Sequence, residues 1–170
     1  MIVSNSSPMI YLVRIGALDL PHRLFESVLI PESVKVEVVD RGLKIKAPDA
    51  LAIKHALETT KWLKVKKLTT TQKLAAKRLS ENTLIDVTDG EAIILARNMK
   101  VPLLVDDREA VAVCRLEGIE TIGTLGVIVR AAKMNIITKK SARKFVDTLV
   151  DQGFYLSVEV YREAVKMLSG

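Results

Sequence analysis

A chain of 170 residues, 49% hydrophobic and 27% charged, is long enough to bury a full core and too apolar to stay disordered. Its net charge of +6 admits a polyanionic partner without requiring one, while an aromatic content of 4% argues against a base-stacking platform. The longest apolar runs, such as Ala92 to Ala96, are too short to span a bilayer, no signal-peptide pattern is visible, and the lone Cys114 excludes an internal disulfide, so a cytoplasmic protein is expected.

Ile2 to Ser4 reads as a first strand that runs into a polar turn, with Ser7 as N-cap and Pro8 opening a helix that carries Ile10, Leu12, Val13 and Leu18. Val28 to Ile30 reads as a second strand, closed by Pro31. The run Val34 to Val39 alternates like a strand with Glu37 toward solvent, although Pro31-Glu32-Ser33 looks like a helix start. Leu51 to Leu57 fits an amphipathic helix, Trp62 to Leu68 a basic edge strand, and Gln72 to Leu79 another helix. Thr88 opens a long helix that buries Ile93, Ile94 and Leu95. Val101 to Val105 is the clearest buried strand, followed directly by Asp106-Asp107 and a helix that ends near Leu116 with Gly118 as its cap. Ile119 to Ile122 is a last short strand, and from Thr124 onward the pattern is helical, in three segments separated near Asn135 and Gly153. Strands that alternate with helices predict a parallel sheet covered on both faces, with the terminal helices as an appendage.

Ligands of such sheets sit beyond the carboxyl ends of the strands. Asn5 lies there after strand one, Glu32 and Glu37 after strand two, and Asp106 and Asp107 after the strong strand, with Asp89 and Glu91 able to reach the same edge. Carboxylates gathered at one edge raise each other's pKa values unless a cation compensates. Hard divalent ions do so through oxygen ligands, and they can activate water against a phosphoryl group. No HxxxH or CxxC pattern supports zinc, and no GxxxxGK[ST] or GxGxxG supports a nucleotide motor or dinucleotide enzyme. Each acidic residue also has a simpler reading. Thr88 and Glu91 match a capping box, Asp107 is a natural N-cap, and Asp106 can be a solvated strand end. A phosphohydrolase working through an aspartyl-phosphate is disfavoured, because no aspartate follows strand one.

In order and spacing, "IVSNSSPMIYLVRIG", "VLIPESVKVEVVDRG", "DVTDGEAIILARNMKVPLLVDDREAVAVCRLEG" and "ETIGTLGVIVRAAKMNII" resemble a PIN domain. More narrowly, they resemble the prokaryotic PIN-like proteins of uncharacterised function grouped near the VapC toxins. The resemblance covers nearly the whole chain, with residues 43 to 87 the least distinctive. It implies a three-layer α/β/α sandwich with a central parallel sheet as one domain over residues 1–170, with a core of about 1–123 and a C-terminal helical extension of about 124–170. It also implies a site built from Asn5, Glu37, Glu91 and Asp107, with Asp89 and Asp106 as further metal-binding candidates and Ser7 in support. By the same resemblance Glu37 lies on a helix, against the alternation of its neighbours. The departure is Asn5, which stands where the family has its first aspartate. An amide offers a carbonyl oxygen to a metal but removes a negative charge and cannot act as a base.

The function that follows is an endoribonuclease dependent on magnesium or manganese, the toxin of a toxin–antitoxin pair, with RNA as substrate. Arg14, Lys35 and Arg108 are candidates for its backbone contacts. The alternative is a PIN-like RNA- or protein-binding module, catalytically weak or inactive because of Asn5. A homodimer is expected from the family and from the apolar residues of the C-terminal region, among them Leu125, Val127, Ile128, Ile136, Ile137, Phe145, Val146 and Leu149. An antitoxin protein would cover the acidic edge, and no membrane partner is expected.

Overall fold

Five parallel strands form the centre of the computed structural model, which describes residues 1–169. They are β1 (Ile2–Ser4), β2 (Val28–Pro31), β3 (Leu63–Lys66), β4 (Leu103–Leu104) and β5 (Thr121–Ile122), in the order β3-β2-β1-β4-β5. Val3 lies opposite Leu29 on one side and Leu103 on the other, which puts β1 in the middle. Successive side chains leave a strand on opposite faces, and the apolar residues divide accordingly. Ile2, Val28, Ile30, Leu63 and Leu104 enter one buried cluster, whereas Val3, Leu29, Leu103 and Val105 enter another.

The helices cover the two faces in turn. On the first lie α1 (Ser6–Arg14), α2 (Leu20–Phe25), α3 (Glu32–Lys35), a π-helical stretch (Val36–Arg41), α4 (Gly42–Lys44) and α5 (Pro48–Glu58). The second is covered by α6 (Thr70–Glu81), α7 (Val87–Met99) and α8 (Arg108–Leu116). The chain then returns to the first face with α9 (Thr124–Lys133), α10 (Lys139–Asp151) and α11 (Val158–Leu168). The result is a three-layer α/β/α sandwich around an all-parallel sheet, as expected. β3 is an edge strand and exposes Lys64 and Lys66, a pattern that discourages pairing with another chain.

Five expectations are corrected. The last three helices are no appendage: Val127, Ile128, Val146, Leu149 and Leu168 belong to the same cluster as Ile2 and Leu12. Leu125, Ile136, Ile137 and Phe145 also pack against it, so the apolar residues read as a dimer surface are largely used inside the chain. The valine run from Val34 is helical, because Val34, Val38 and Val39 face the core while Val36 is exposed; tertiary packing overrides strand propensity. α1 starts at Ser6 rather than after Ser7, which places Pro8 inside the first turn where its missing N–H costs no helical bond. α7 is capped by Asp86, which accepts from the Asp89 N–H at 2.8 Å, so the capping box of Thr88 and Glu91 does not form.

Candidate active site

The order of the strands reverses between β1 and β4, and a crevice opens beyond the carboxyl ends at such a switch point. Asn5 follows β1 there, its backbone N–H donating to the Leu104 carbonyl at 3.3 Å. By backbone position Asn5 is the N-cap of α1, yet its side chain caps nothing. Its Nδ2 instead donates to Oδ1 of Asp89, in the first turn of α7, at 2.8 Å. Asn5 is 2% exposed, and its Oδ1 has no hydrogen-bond partner among the described residues. A buried acceptor left so costs about 1–3 kcal/mol, and an unmet group of this kind calls for a specific cause, such as an ion.

Two serines hold two of the glutamates. The Ser6 hydroxyl donates to Oε2 of Glu37 at 2.6 Å, which joins the start of α1 to the π-helical stretch. The Ser33 hydroxyl donates to Oε2 of Glu91 at 2.6 Å, joining α3 to α7, and Glu91 is buried. Ser7, the expected supporting residue, is exposed and borders the cavity lined by Asp106 and Asp107, where it meets none of the site carboxylates through a side-chain hydrogen bond among those described. The hydroxyl that meets a site carboxylate comes from Ser6, because α1 begins one residue earlier than expected.

The two adjacent aspartates differ in how they are bound. Asp106 is turned into the fold: its Oδ1 accepts from the Thr124 N–H at 2.7 Å and its Oδ2 from the Thr124 hydroxyl at 2.6 Å. Gly123 makes room for this, since a Cβ there would stand 2.9 Å from Asp106 Oδ1. Asp107 is exposed and caps α8, with Oδ1 accepting from the Ala110 N–H at 2.8 Å.

Electrostatics separate them again. Burial pushes the Asp89 carboxyl above the ordinary carboxylate value, the Asn5 hydrogen bond opposes this, and the charges of Asp86, Asp107 and Glu37 push it further up. Glu37 and Asp107, from different elements, therefore bear on Asp89 through space. Asp106 is also pushed up by burial, against the two Thr124 hydrogen bonds. Beneath the edge, burial first and then the charges of Asp89 and Glu117 push the Cys114 thiol up to about 11, which leaves it unreactive.

Of the three basic candidates, Arg14 is exposed, its guanidinium 5.8 Å from the Tyr11 ring centroid. Arg108 lies next to Asp107 with its guanidinium 5.6 Å from the Tyr155 ring centroid. Lys35 is already paired with Asp40 at 3.2 Å and opens on a separate cavity shared with Lys54 and Lys64. Its charge is matched away from the acidic edge.

A family model described as a PIN domain, DUF3368, matches residues 1–169. The chain belongs to the PIN domain family. No curated protein and no solved structure matched it.

Among the described residues of this PIN domain, no three of His, Cys, Asp and Glu come together closely enough to hold a metal ion between them. The side-chain donors at the edge are nevertheless all oxygens, and Asn5 Oδ1 is the buried one that no protein group meets. That set fits a hard ion that keeps most of its waters and takes one or two direct protein ligands. It does not fit a dehydrated ion caged by protein. Ser6, Ser33 and Thr124, which fix the carboxylates of this PIN domain, were not singled out from the sequence; Ser6 and Ser33 lie beside the marked Asn5 and Glu32, and Thr124 only opens a helical pattern, but nothing local says which hydroxyl points inward.

Proposed function

We propose that this PIN domain is a magnesium- or manganese-dependent endoribonuclease, the toxin of a cytoplasmic toxin–antitoxin pair. The observation that carries the reading is the buried, unpartnered Asn5 Oδ1 at the switch point of the sheet, with Asp89 fixed beside it. In this reading Asn5 and Asp89 hold the ion, and Glu37, Glu91 and Asp107 gather its waters. A divalent ion bound there supplies an acidified water and neutralises charge on a phosphoryl group.

The chain does the positioning. The Asn5 amide N–H holds one oxygen of Asp89, and the Ser6 and Ser33 hydroxyls hold one oxygen each of Glu37 and Glu91. Asn5 cannot accept a proton from water, so that task falls to a carboxylate. Asp107 suits it, being exposed with only its Oδ1 engaged in the helix cap. Asp106, engaged at both oxygens by Thr124, keeps the end of β4 and the start of α9 together. Arg14 and Arg108 steer the RNA backbone. An antitoxin protein covers the acidic edge with a basic side chain, and the homodimer now rests on the family resemblance alone. No helix among the described residues is long and apolar enough to cross a membrane.

A second reading is favoured by one observation, the lack of any carboxylate trio close enough to hold an ion. In that reading the asparagine site binds RNA or a protein without hydrolysing it. Incubating unstructured RNA with the purified protein, in manganese and in chelator, separates the two. Manganese-dependent internal cleavage supports the nuclease, and retention of RNA without cleavage supports the binding module.

A further inference from the structure

The chain has seven aromatic residues outside histidine, three Phe, three Tyr and one Trp. Six of them, Tyr11, Phe25, Trp62, Phe145, Phe154 and Tyr161, pack against the larger apolar cluster. The seventh, Tyr155, is 75% exposed. It stands beside the acidic edge, in a cavity of about 350 Å³ that it shares with Ser7, Tyr11, Phe154, the cation Arg108 and the acids Asp106, Asp107 and Glu109. That volume is at the small end of the range that takes a small ligand.

The position of Tyr155 is built rather than incidental. Gly153, with φ of 82°, turns the chain after α10 in a conformation that side chains other than glycine rarely adopt. The Phe154 N–H then donates to the Leu149 carbonyl at 3.1 Å. The Phe154 ring meets Tyr11 edge to face, centroids 4.9 Å apart at 87°. The next residue, Tyr155, is thereby presented outward from an anchored loop, with the Arg108 guanidinium 5.6 Å from its ring centroid. An aromatic face beside a cation is what binds an unpaired nucleobase with its phosphate, because every base offers a π-face and every linkage a negative charge.

We infer that Tyr155 and Arg108 form a subsite for one unpaired nucleotide of single-stranded RNA, next to the phosphodiester presented to the acidic edge. Tyr155 stacks the base, and Arg108 lies against the ring and reaches the adjoining phosphate. The inference rests on the nuclease reading for its substrate class and adds that the substrate is unpaired at the site. It also explains why the low aromatic content is a poor guide here, since one ring in the right place is enough.

The test uses the whole protein and short oligoribonucleotides carrying 2-aminopurine at successive positions, whose emission reports stacking, in buffer with manganese replaced by a chelator so that no cleavage intervenes. The expected result is an emission change at one position with the wild type and with Tyr155→Phe. With Tyr155→Leu that change is lost and affinity falls about tenfold, within the range of base–aromatic stacking; a matching duplex binds more weakly than the single strand. Unchanged affinity and emission with Tyr155→Leu overturn the inference, as does failure of the wild type to bind the oligomers or an effect of Tyr155 confined to a protein partner. Stacking without later cleavage in manganese leaves the subsite standing and removes the nuclease reading. Cleavage with an unchanged Tyr155→Leu does the reverse.

Discussion

The amide of Asn5 donates to the carboxylate of Asp89 at 2.8 Å, tying the end of β1 to the first turn of α7. This contact fixes which way the amide faces. Nδ2 is committed to a carboxylate, so Oδ1 is the end left without a partner. A carbonyl oxygen held that way is able to ligate a hard cation, more weakly than a carboxylate would.

Asn5→Asp is therefore expected to bind manganese about tenfold or more tightly than the wild type in a calorimetric titration. Without metal it is expected to be less stable, by about 1–3 kcal/mol, since a hydrogen bond becomes a contact between two acids. Chemical denaturation with and without manganese reads both effects. A variant that binds manganese no better than the wild type contradicts the role given to position 5.

The two serine contacts differ in burial. Glu91 is 8% exposed and depends on Ser33, whereas Glu37 is half-buried and within reach of water when Ser6 is lost. Ser33→Ala is expected to cost about 1–3 kcal/mol and Ser6→Ala less, because a buried carboxylate without its donor bears the larger desolvation penalty. Equal midpoints in urea for both variants would count against this ordering.

Asp106 makes a pH prediction. Its carboxyl is pushed above the ordinary value by burial, so the folded state binds this proton more tightly than the unfolded chain. The stability it contributes is complete below the unfolded value of about 3.9 and is lost as pH rises through the folded value. Asp106→Asn can still accept from the Thr124 N–H and carries no charge. Its melting temperature relative to the wild type is expected to be higher near pH 7 than near pH 4. The opposite trend would mean that the two Thr124 hydrogen bonds outweigh burial.

Leu149 lies on α10 and is fully buried in the apolar cluster that also holds Ile2 of β1 and Leu12 of α1. Leu149→Ala is expected to destabilise the whole protein by about 2–5 kcal/mol in a single cooperative transition. If the C-terminal helices melt separately and leave the rest intact, the shared core described above is wrong.

The layers were legible in the sequence because burial leaves a periodic mark. Ile2-Val3, Val28 to Ile30 and Val101 to Val105 are short apolar runs bounded by turn residues, and each overlaps a buried strand. The run from Val34 misled because alternating valines fit a strand as well as a helix, and only the contacts of Val34 and Val38 decide between them. The site was legible as a set of acids at one edge, and placing Glu37 on a helix needed the family resemblance. What stayed hidden was the choice among like neighbours. Ser6 and Ser7 differ by one position, as do Asp106 and Asp107, and a hydroxyl or carboxylate faces inward according to where a helix starts. The role inferred for Tyr155 was hidden for another reason: exposure beside a site is a property of the fold, which composition does not record.

Cleavage of single-stranded RNA in manganese by the Glu37→Gln, Asp107→Asn double variant, set beside the wild type, bears most directly on the nuclease reading. The wild type is expected to cut the RNA internally, and the double variant to fold normally and show no manganese-stimulated cleavage. Full cleavage by the double variant would contradict the account, because the acidic edge would then not be where the chemistry happens.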